Sequence, residues 1–257
     1  MDFQLSEFRL DNRVALLTGA ARGIGLGIAR AFAAAGCAVA IQDLEENVAQ
    51  SEADKINASG GRAIALGGDI GDLSLGQRLV GQTRENLGGL DILVNNASIQ
   101  RQSDWLELSP EEIESQLRAD LVAPIILCQA AAPIFRAQKW GRILNIGSIQ
   151  GLKGNAEMLP YSISKTALES LTKALARSEA AYGVTVNNLA PGYFDTLRNS
   201  DDFPDEETKR ERGETIVPIG RIGEPRDCAG LALLLCSEAG NYITGQTIYV
   251  DGGLAVC

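Results

Sequence analysis

Residues 14–25 read Val14-Ala15-Leu16-Leu17-Thr18-Gly19-Ala20-Ala21-Arg22-Gly23-Ile24-Gly25, and helical apolar spacing follows over 24–35. The opening run is apolar at odd and even positions alike, the pattern of a strand covered on both faces in a parallel sheet. It enters a glycine-rich turn and then a helix. The same grammar recurs along the chain. Short runs rich in Val, Ile or Leu at 14–18, 38–42, 63–66, 92–95, 142–146, 185–189 and 247–250 predict strands. Between them, 24–35, 47–59, 75–87, 111–137, 161–181 and 226–236 carry helical patterns. Alternation of this kind requires repeated right-handed crossovers. The predicted fold is α/β: one domain over 1–257, a doubly wound parallel sheet of about seven strands with helices on both faces. Gly36 stands where a helix C-cap glycine belongs, and Pro110 suits a first helical turn.

The alternation breaks over 193–218, which holds Asp201, Asp202, Phe203, Pro204 and Asp205 and a charged run to Glu214. A connection of that length is either a lid or disordered, and it is read here as a substrate lid. No linker, repeat or low-complexity segment stands out elsewhere.

Composition narrows the chemistry. The 257 residues carry 23 Lys and Arg against 33 Asp and Glu, a net charge of -10, and no histidine. Nucleic acid and anionic membrane are poor partners for such a surface, because phosphate binding needs clustered cations. Without histidine there is no His-based triad, His-ligated metal site or His proton switch. The five cysteines (Cys37, Cys128, Cys228, Cys236, Cys257) are odd in number and lack C-x-x-C spacing. They read as reduced, buried thiols rather than as disulfides or a metal site. Residues 1–10 lack the apolar core of a signal peptide. The most apolar stretch, 121–135, is short for a bilayer span and contains Pro124 and Pro133, so a buried helix is expected. The cytoplasm is the expected compartment.

The glycine turn has the spacing G-x-x-x-G-x-G through Gly19, Gly23 and Gly25, unlike the G-x-G-x-x-G fingerprint. Glycines allow a tight turn and close backbone approach. A helix starting at Gly23 and Ile24 would offer free N–H groups and a positive dipole to a pyrophosphate. Asp43 closes the second strand roughly 20 residues beyond the turn, where a carboxylate hydrogen-bonds adenosine ribose hydroxyls. It would also repel a 2′-phosphate, so NAD is expected over NADP, although Arg22 in the turn pulls the other way. Asp69 and Ile70 follow the third strand, and Asn95-Asn96-Ala97 ends the fourth. All fall on the carboxyl rim of the sheet, where such folds bind ligands.

The fifth strand ends Asn145-Ile146-Gly147-Ser148, and thirteen positions beyond Ser148 comes Tyr161-Ser162-Ile163-Ser164-Lys165. Tyr161 and Lys165 are i and i+4 and share a helix face. A hydroxyl, a phenol and an ammonium thus converge. With the Thr18–Gly25 turn, Asn95-Asn96-Ala97, Pro191-Gly192 and Asp251-Gly252-Gly253, the whole chain resembles the short-chain dehydrogenase/reductase family. The resemblance implies a Rossmann-like, homotetrameric enzyme that interconverts secondary alcohols and ketones with a nicotinamide cofactor. By the same resemblance Tyr161 is the acid/base, and an ammonium such as that of Lys165 favours a phenolate. Lys165 and Tyr161 also hold the nicotinamide ribose, Ser148 binds the substrate oxygen, and Asn96, Ala97, Pro191, Gly192 and Thr196 belong to the cofactor site.

The pattern departs from the family at three places. Where relatives commonly have an Asn that supports a water next to the Lys, counting back from Ser148 gives Asp120. A carboxylate can accept from that water, yet it counters the Lys165 charge. Ser98 replaces the usual glycine after Ala97 and adds a side chain beside the nicotinamide site. Pro191-Gly192 continues Tyr193-Phe194-Asp195-Thr196. Substrate specificity is expected in 99–102, 150–159 and the lid, with Gln150, Asn155 and Tyr193 as contacts alongside Ser148 and Tyr161. Their polar character suits a polyol, sugar or sugar acid. Two other readings stay open: an NADPH-dependent 3-oxoacyl-carrier-protein reductase, and a non-catalytic NAD-binding or scaffold protein suggested by Asp120 and Ser98.

Overall fold

The computed structural model describes residues 4–196 and 205–256. In chain order the elements are β1 (Val14–Leu17), α1 (Gly23–Ala34), β2 (Ala38–Asp43), α2 (Glu46–Ala58), β3 (Arg62–Gly67), α3 (Leu75–Leu87) and β4 (Ile92–Asn95). Next come α4 (Pro110–Leu117), a π-turn (Arg118–Val122), α5 (Ala123–Gln138), β5 (Gly141–Ile146), α6 (Gln150–Lys153) and α7 (Leu159–Glu179). The chain ends with β6 (Val184–Pro191), α8 (Glu206–Ile216), α9 (Pro225–Cys236) and β7 (Thr247–Val250). Among the described residues the strands form one sheet in the order β3-β2-β1-β4-β5-β6-β7, with every pairing parallel. The order reverses between β1 and β4. That places a ligand crevice outside their carboxyl ends.

Side chains of β1 explain why its run is apolar at every position. Ala15 and Leu17 join a core with Ile28, Phe32 and Leu235 from α1 and α9. Val14 and Leu16 face the opposite core, with Leu79, Leu127 and Phe135 from α3 and α5. Each helical layer therefore buries one parity of the sheet. Gly36 follows α1 at φ +96° and Pro110 opens α4, as expected. Cys37, Cys128, Cys228 and Cys236 are free and buried. Burial pushes the thiols of Cys128, Cys228 and Cys236 up to about 12. Cys257 lies outside the described residues.

Two elements differ from the sequence reading. The helix expected over 111–137 is a run over Pro110–Gln138 whose regular hydrogen bonding is interrupted by the π-turn. Its 29 residues are long and apolar enough to cross a membrane, but Leu127, Cys128, Ala131 and Phe135 are packed into the second core. The stretch read as a lid contains α8, whose N-cap Asp205 accepts from the Thr208 N–H at 2.7 Å. Helix α8 is charged nearly all round and buries only Gly213 among its residues, so no apolar stripe announced it. Residues 197–204 of the expected lid, including Asp201, Asp202, Phe203 and Pro204, lie outside the described residues.

Candidate active site

The glycine turn is shaped by contact and by backbone sign. Gly19 has φ +58°, and a Cβ there would stand 2.7 Å from the Ala97 Cα. Gly25 is locked in differently: its Cβ would meet Asn96 Nδ2 at 2.5 Å. Only glycine lets the turn lie against the end of β4. Asn96 fastens that contact, donating through Nδ2 to the carbonyls of Thr18 (2.9 Å) and Gly19 (2.7 Å). The Thr18 hydroxyl accepts from the N–H groups of Asn96 and Ala97 at 3.1 Å each. At the start of α1 the N-cap residue, Arg22, makes no side-chain cap bond. The first residues of α1, Gly23 and Ile24, therefore face the crevice with no side-chain cap from Arg22 on their N–H groups.

Asp43 occupies the carboxyl end of β2. Its Oδ2 accepts from the Ala21 N–H (3.2 Å) and its Oδ1 from the Glu45 N–H (3.3 Å), so the carboxylate is aimed at the turn. Arg22 reaches over to Glu45 and pairs with it at 2.6 Å. Gln42, one residue earlier, is buried; it accepts from the Gly19 N–H (3.2 Å) and donates to the Gly68 carbonyl (2.8 Å). It thus couples the glycine turn to the loop that carries Asp69. Gln42 was missed as a site residue. Its signal was a lone amide inside a strand otherwise apolar on both faces.

The reacting groups come from β5 and α7. Helix α7 turns Tyr161, Lys165, Leu168, Thr172 and Ala176 inward, the i, i+4, i+7 face of a buried helix. Lys165 Nζ donates to the Ile146 carbonyl at 2.8 Å and lies 5.3 Å from the Tyr161 ring centroid. Ser148 follows β5, its hydroxyl accepting from the Gln150 N–H at 3.2 Å. Below them a buried amide ladder joins the strands to α7: Asn95 Nδ2 donates to Asn145 Oδ1 (2.8 Å), and Asn145 Nδ2 to the Thr172 hydroxyl (2.9 Å). The fold thereby holds the three groups on one wall.

These features share one cavity of about 760 Å³. Gly19, Arg22, Gly23, Ile24, Asp43, Asp69, Ile70, Asn96 and Ala97 line its β1–β4 side. Ser148, Tyr161, Lys165, Pro191, Gly192, Gln150 and Tyr193 line the other, and Thr196 lies beside Gly23. Three expected positions are not on the wall. Gly25 lies behind the turn, and its part is the close packing just described. Asn155 instead caps the short turn at Ala156–Met158, accepting from the Glu157 N–H at 3.0 Å. Asp120 is buried in the π-turn and grips the backbone of Ile99. The cavity also takes in Gln100, Gln102, Met158, Ile216 and Leu254. Ile216 and Leu254 come from remote parts of the chain, which no local pattern connects to the site.

The residues present suit a nicotinamide dinucleotide: an uncapped helix N-terminus for the pyrophosphate, an aimed carboxylate for the ribose, and Tyr161 with Lys165 at the far end. Fold and site together define a dinucleotide-dependent oxidoreductase acting on CH–OH groups. A family model described as enoyl-(acyl carrier protein) reductase matches residues 19–255. The 3-oxoacyl-[acyl-carrier-protein] reductase FabG of Aquifex aeolicus is 36% identical over 253 residues, covering 96% of this chain and 99% of its own. The L-rhamnose 1-dehydrogenase (NAD(P)(+)) of Azotobacter vinelandii is 38% identical over 252 residues, covering 96% and 98%. The crystal structure of a gluconate 5-dehydrogenase from Burkholderia cenocepacia in complex with NADP and tartrate superposes with a TM-score of 0.91 at 36% identity, covering 98% of this chain and 99% of its own. The chain belongs to the short-chain dehydrogenase/reductase family.

Proposed function

We propose that this chain is an NAD-dependent dehydrogenase that interconverts a secondary alcohol and a ketone on a polyol, sugar or sugar acid, working as a cytoplasmic homotetramer. The observation that carries the reaction is the convergence of Ser148, Tyr161 and Lys165 on one wall of the cavity. The Ser148 hydroxyl hydrogen-bonds the substrate oxygen and stabilises charge developing on it. The Tyr161 phenolic oxygen takes the alcohol proton in oxidation and returns it in reduction. Lys165, tethered to the Ile146 carbonyl, holds its ammonium next to Tyr161 and would hold the nicotinamide ribose. The bound nicotinamide supplies the hydride chemistry. Asp43 and the start of α1 would hold the adenosine and pyrophosphate ends.

NAD is preferred in this reading because, among the described residues that line the cavity, the cation beside Asp43, Arg22, is paired with Glu45. The amides of Gln100, Gln102 and Gln150 suit a hydroxyl-rich substrate, since each donates and accepts. A second reading, reduction of 3-oxoacyl thioesters, is favoured by the similarity to the Aquifex aeolicus reductase. The test is a panel of polyols, sugars, sugar acids and 3-oxoacyl thioesters assayed with NAD(H) and NADP(H). Turnover of a polyhydroxylated compound with NAD supports the proposal. Activity confined to thioesters with NADPH replaces it with the second reading. Tyr161→Phe should abolish turnover while NAD binding by calorimetry persists; unchanged turnover removes Tyr161 from the chemistry.

A further inference from the structure

Ile99 lies in the middle of the loop that carries Asn96, Ala97, Ser98, Gln100 and Gln102 to the cavity. Both polar groups of its residue are gripped from the helix behind. Its N–H donates to Asp120 Oδ1 at 2.7 Å. Its carbonyl accepts from Gln116 Nε2. The same Gln116 nitrogen donates its other proton to Asp120 Oδ2 at 2.7 Å, which closes a three-way circuit. Gln116 and Asp120 are buried, one turn apart, at the junction of α4 and the π-turn.

The arithmetic of donors explains why two residues are needed. Ile99 presents one donor and one acceptor. An amide at position 120 could satisfy both, because it carries an acceptor oxygen and a donor nitrogen. An ionised carboxylate only accepts. The Ile99 carbonyl would then be buried against a negative oxygen, which is costly. Gln116 supplies the missing proton to the carbonyl and neutralises part of the carboxylate's hydrogen-bonding demand with the other.

We infer that Gln116 and Asp120 act as one positioning unit for the 96–102 loop, with Gln116 providing the donor that an asparagine at position 120 would provide alone. Gln116 is a positioning residue: it acts through Ile99. The kinetic part of this inference rests on the dehydrogenase reading above, whereas the loop geometry does not.

The test is a comparison of Gln116→Leu in two backgrounds. With Asp120 present, Gln116→Leu should lower kcat/KM by about tenfold, because a carbonyl and a carboxylate oxygen lose their buried donor. In the Asp120→Asn background the same substitution should change kcat/KM little, because the asparagine donates to Ile99 itself. Amide hydrogen exchange of a 96–102 peptide should follow suit: faster in Gln116→Leu, and back to the single Asp120→Asn rate in the double variant. An equal effect of Gln116→Leu in both backgrounds, or none in either, overturns the inference. Should no compound on the panel be turned over, exchange still decides the matter, so a wrong substrate assignment and a wrong positioning unit give different results.

Discussion

At the scale of single residues, the proposed preference for NAD turns on three neighbours. Asp43 is held against the glycine turn by two backbone N–H groups, and Glu45 holds Arg22 at 2.6 Å. The pair is exposed and contributes little to stability, so its importance is in where it keeps the guanidinium. Glu45→Gln combined with Asp43→Ser should release Arg22 and remove the repelling charge. The ratio of kcat/KM for NADP over NAD should then rise by about tenfold or more, the worth of one charge-assisted hydrogen bond. A ratio that stays put would mean that selectivity is set elsewhere. The position of Asp43 on the cavity wall could be read from sequence because the end of β2 falls on the carboxyl rim of the sheet. Gln42 and Gln116 could not be assigned so easily. A buried amide is visible as an oddity, but its partners, Gly68 and Ile99, are known only once the chain is folded.

At the scale of elements, the strands were legible because most side chains along the inner ones meet a helical layer, which makes the run apolar at both parities. Helices with an inward stripe, such as α3 and α7, were legible for the related reason. Helix α8 was not, because it lies on the surface and its sequence carries no stripe. The π-turn was equally hidden: the apolar spacing on either side of it reads as one helix, and the change of hydrogen-bonding partner leaves no mark on composition. Helices α5 and α7 are also joined by a fork, Arg136 Nε and Nη2 donating to the two Glu179 oxygens at 2.7 and 2.6 Å. Hydrogen bonds from Arg136 hold the buried Glu179 carboxyl below its ordinary value of 4.5. A carboxyl depressed in the folded state stabilises it fully above the ordinary value, and that stabilisation is lost as pH falls through the depressed one. Arg136→Met should therefore lower the melting temperature at about pH 7, and the gap to the parent should narrow as pH falls below the ordinary value of 4.5. A gap independent of pH would mean that the variant acts through packing.

At the scale of the whole molecule, the strand order decides where chemistry happens. The reversal between β1 and β4 brings the glycine turn, the 96–102 loop and the Ser148 wall to one rim, although they are distant in sequence. That much follows from alternation of strands and helices. The contributions of Ile216 and Leu254 do not, since they depend on how the last third of the chain folds back over the rim. Several large apolar side chains stay exposed on the single chain, among them Leu152, Ile163 and Tyr182 on or beside α6 and α7. They are expected to be covered in a homotetramer. Light scattering should give four times the chain mass of 27.3 kDa, and a monomer would exclude that assembly. The contact of Gly19 with Ala97 has a mechanical corollary. Atoms this tightly packed transmit displacement instead of absorbing it, so the glycine turn and the loop that carries Ala97 are expected to shift together. Under the proposed function, Gly19→Ala is therefore expected to tilt the second by wedging a methyl beneath the first, and damage begun at the glycine turn would register as slower hydride transfer.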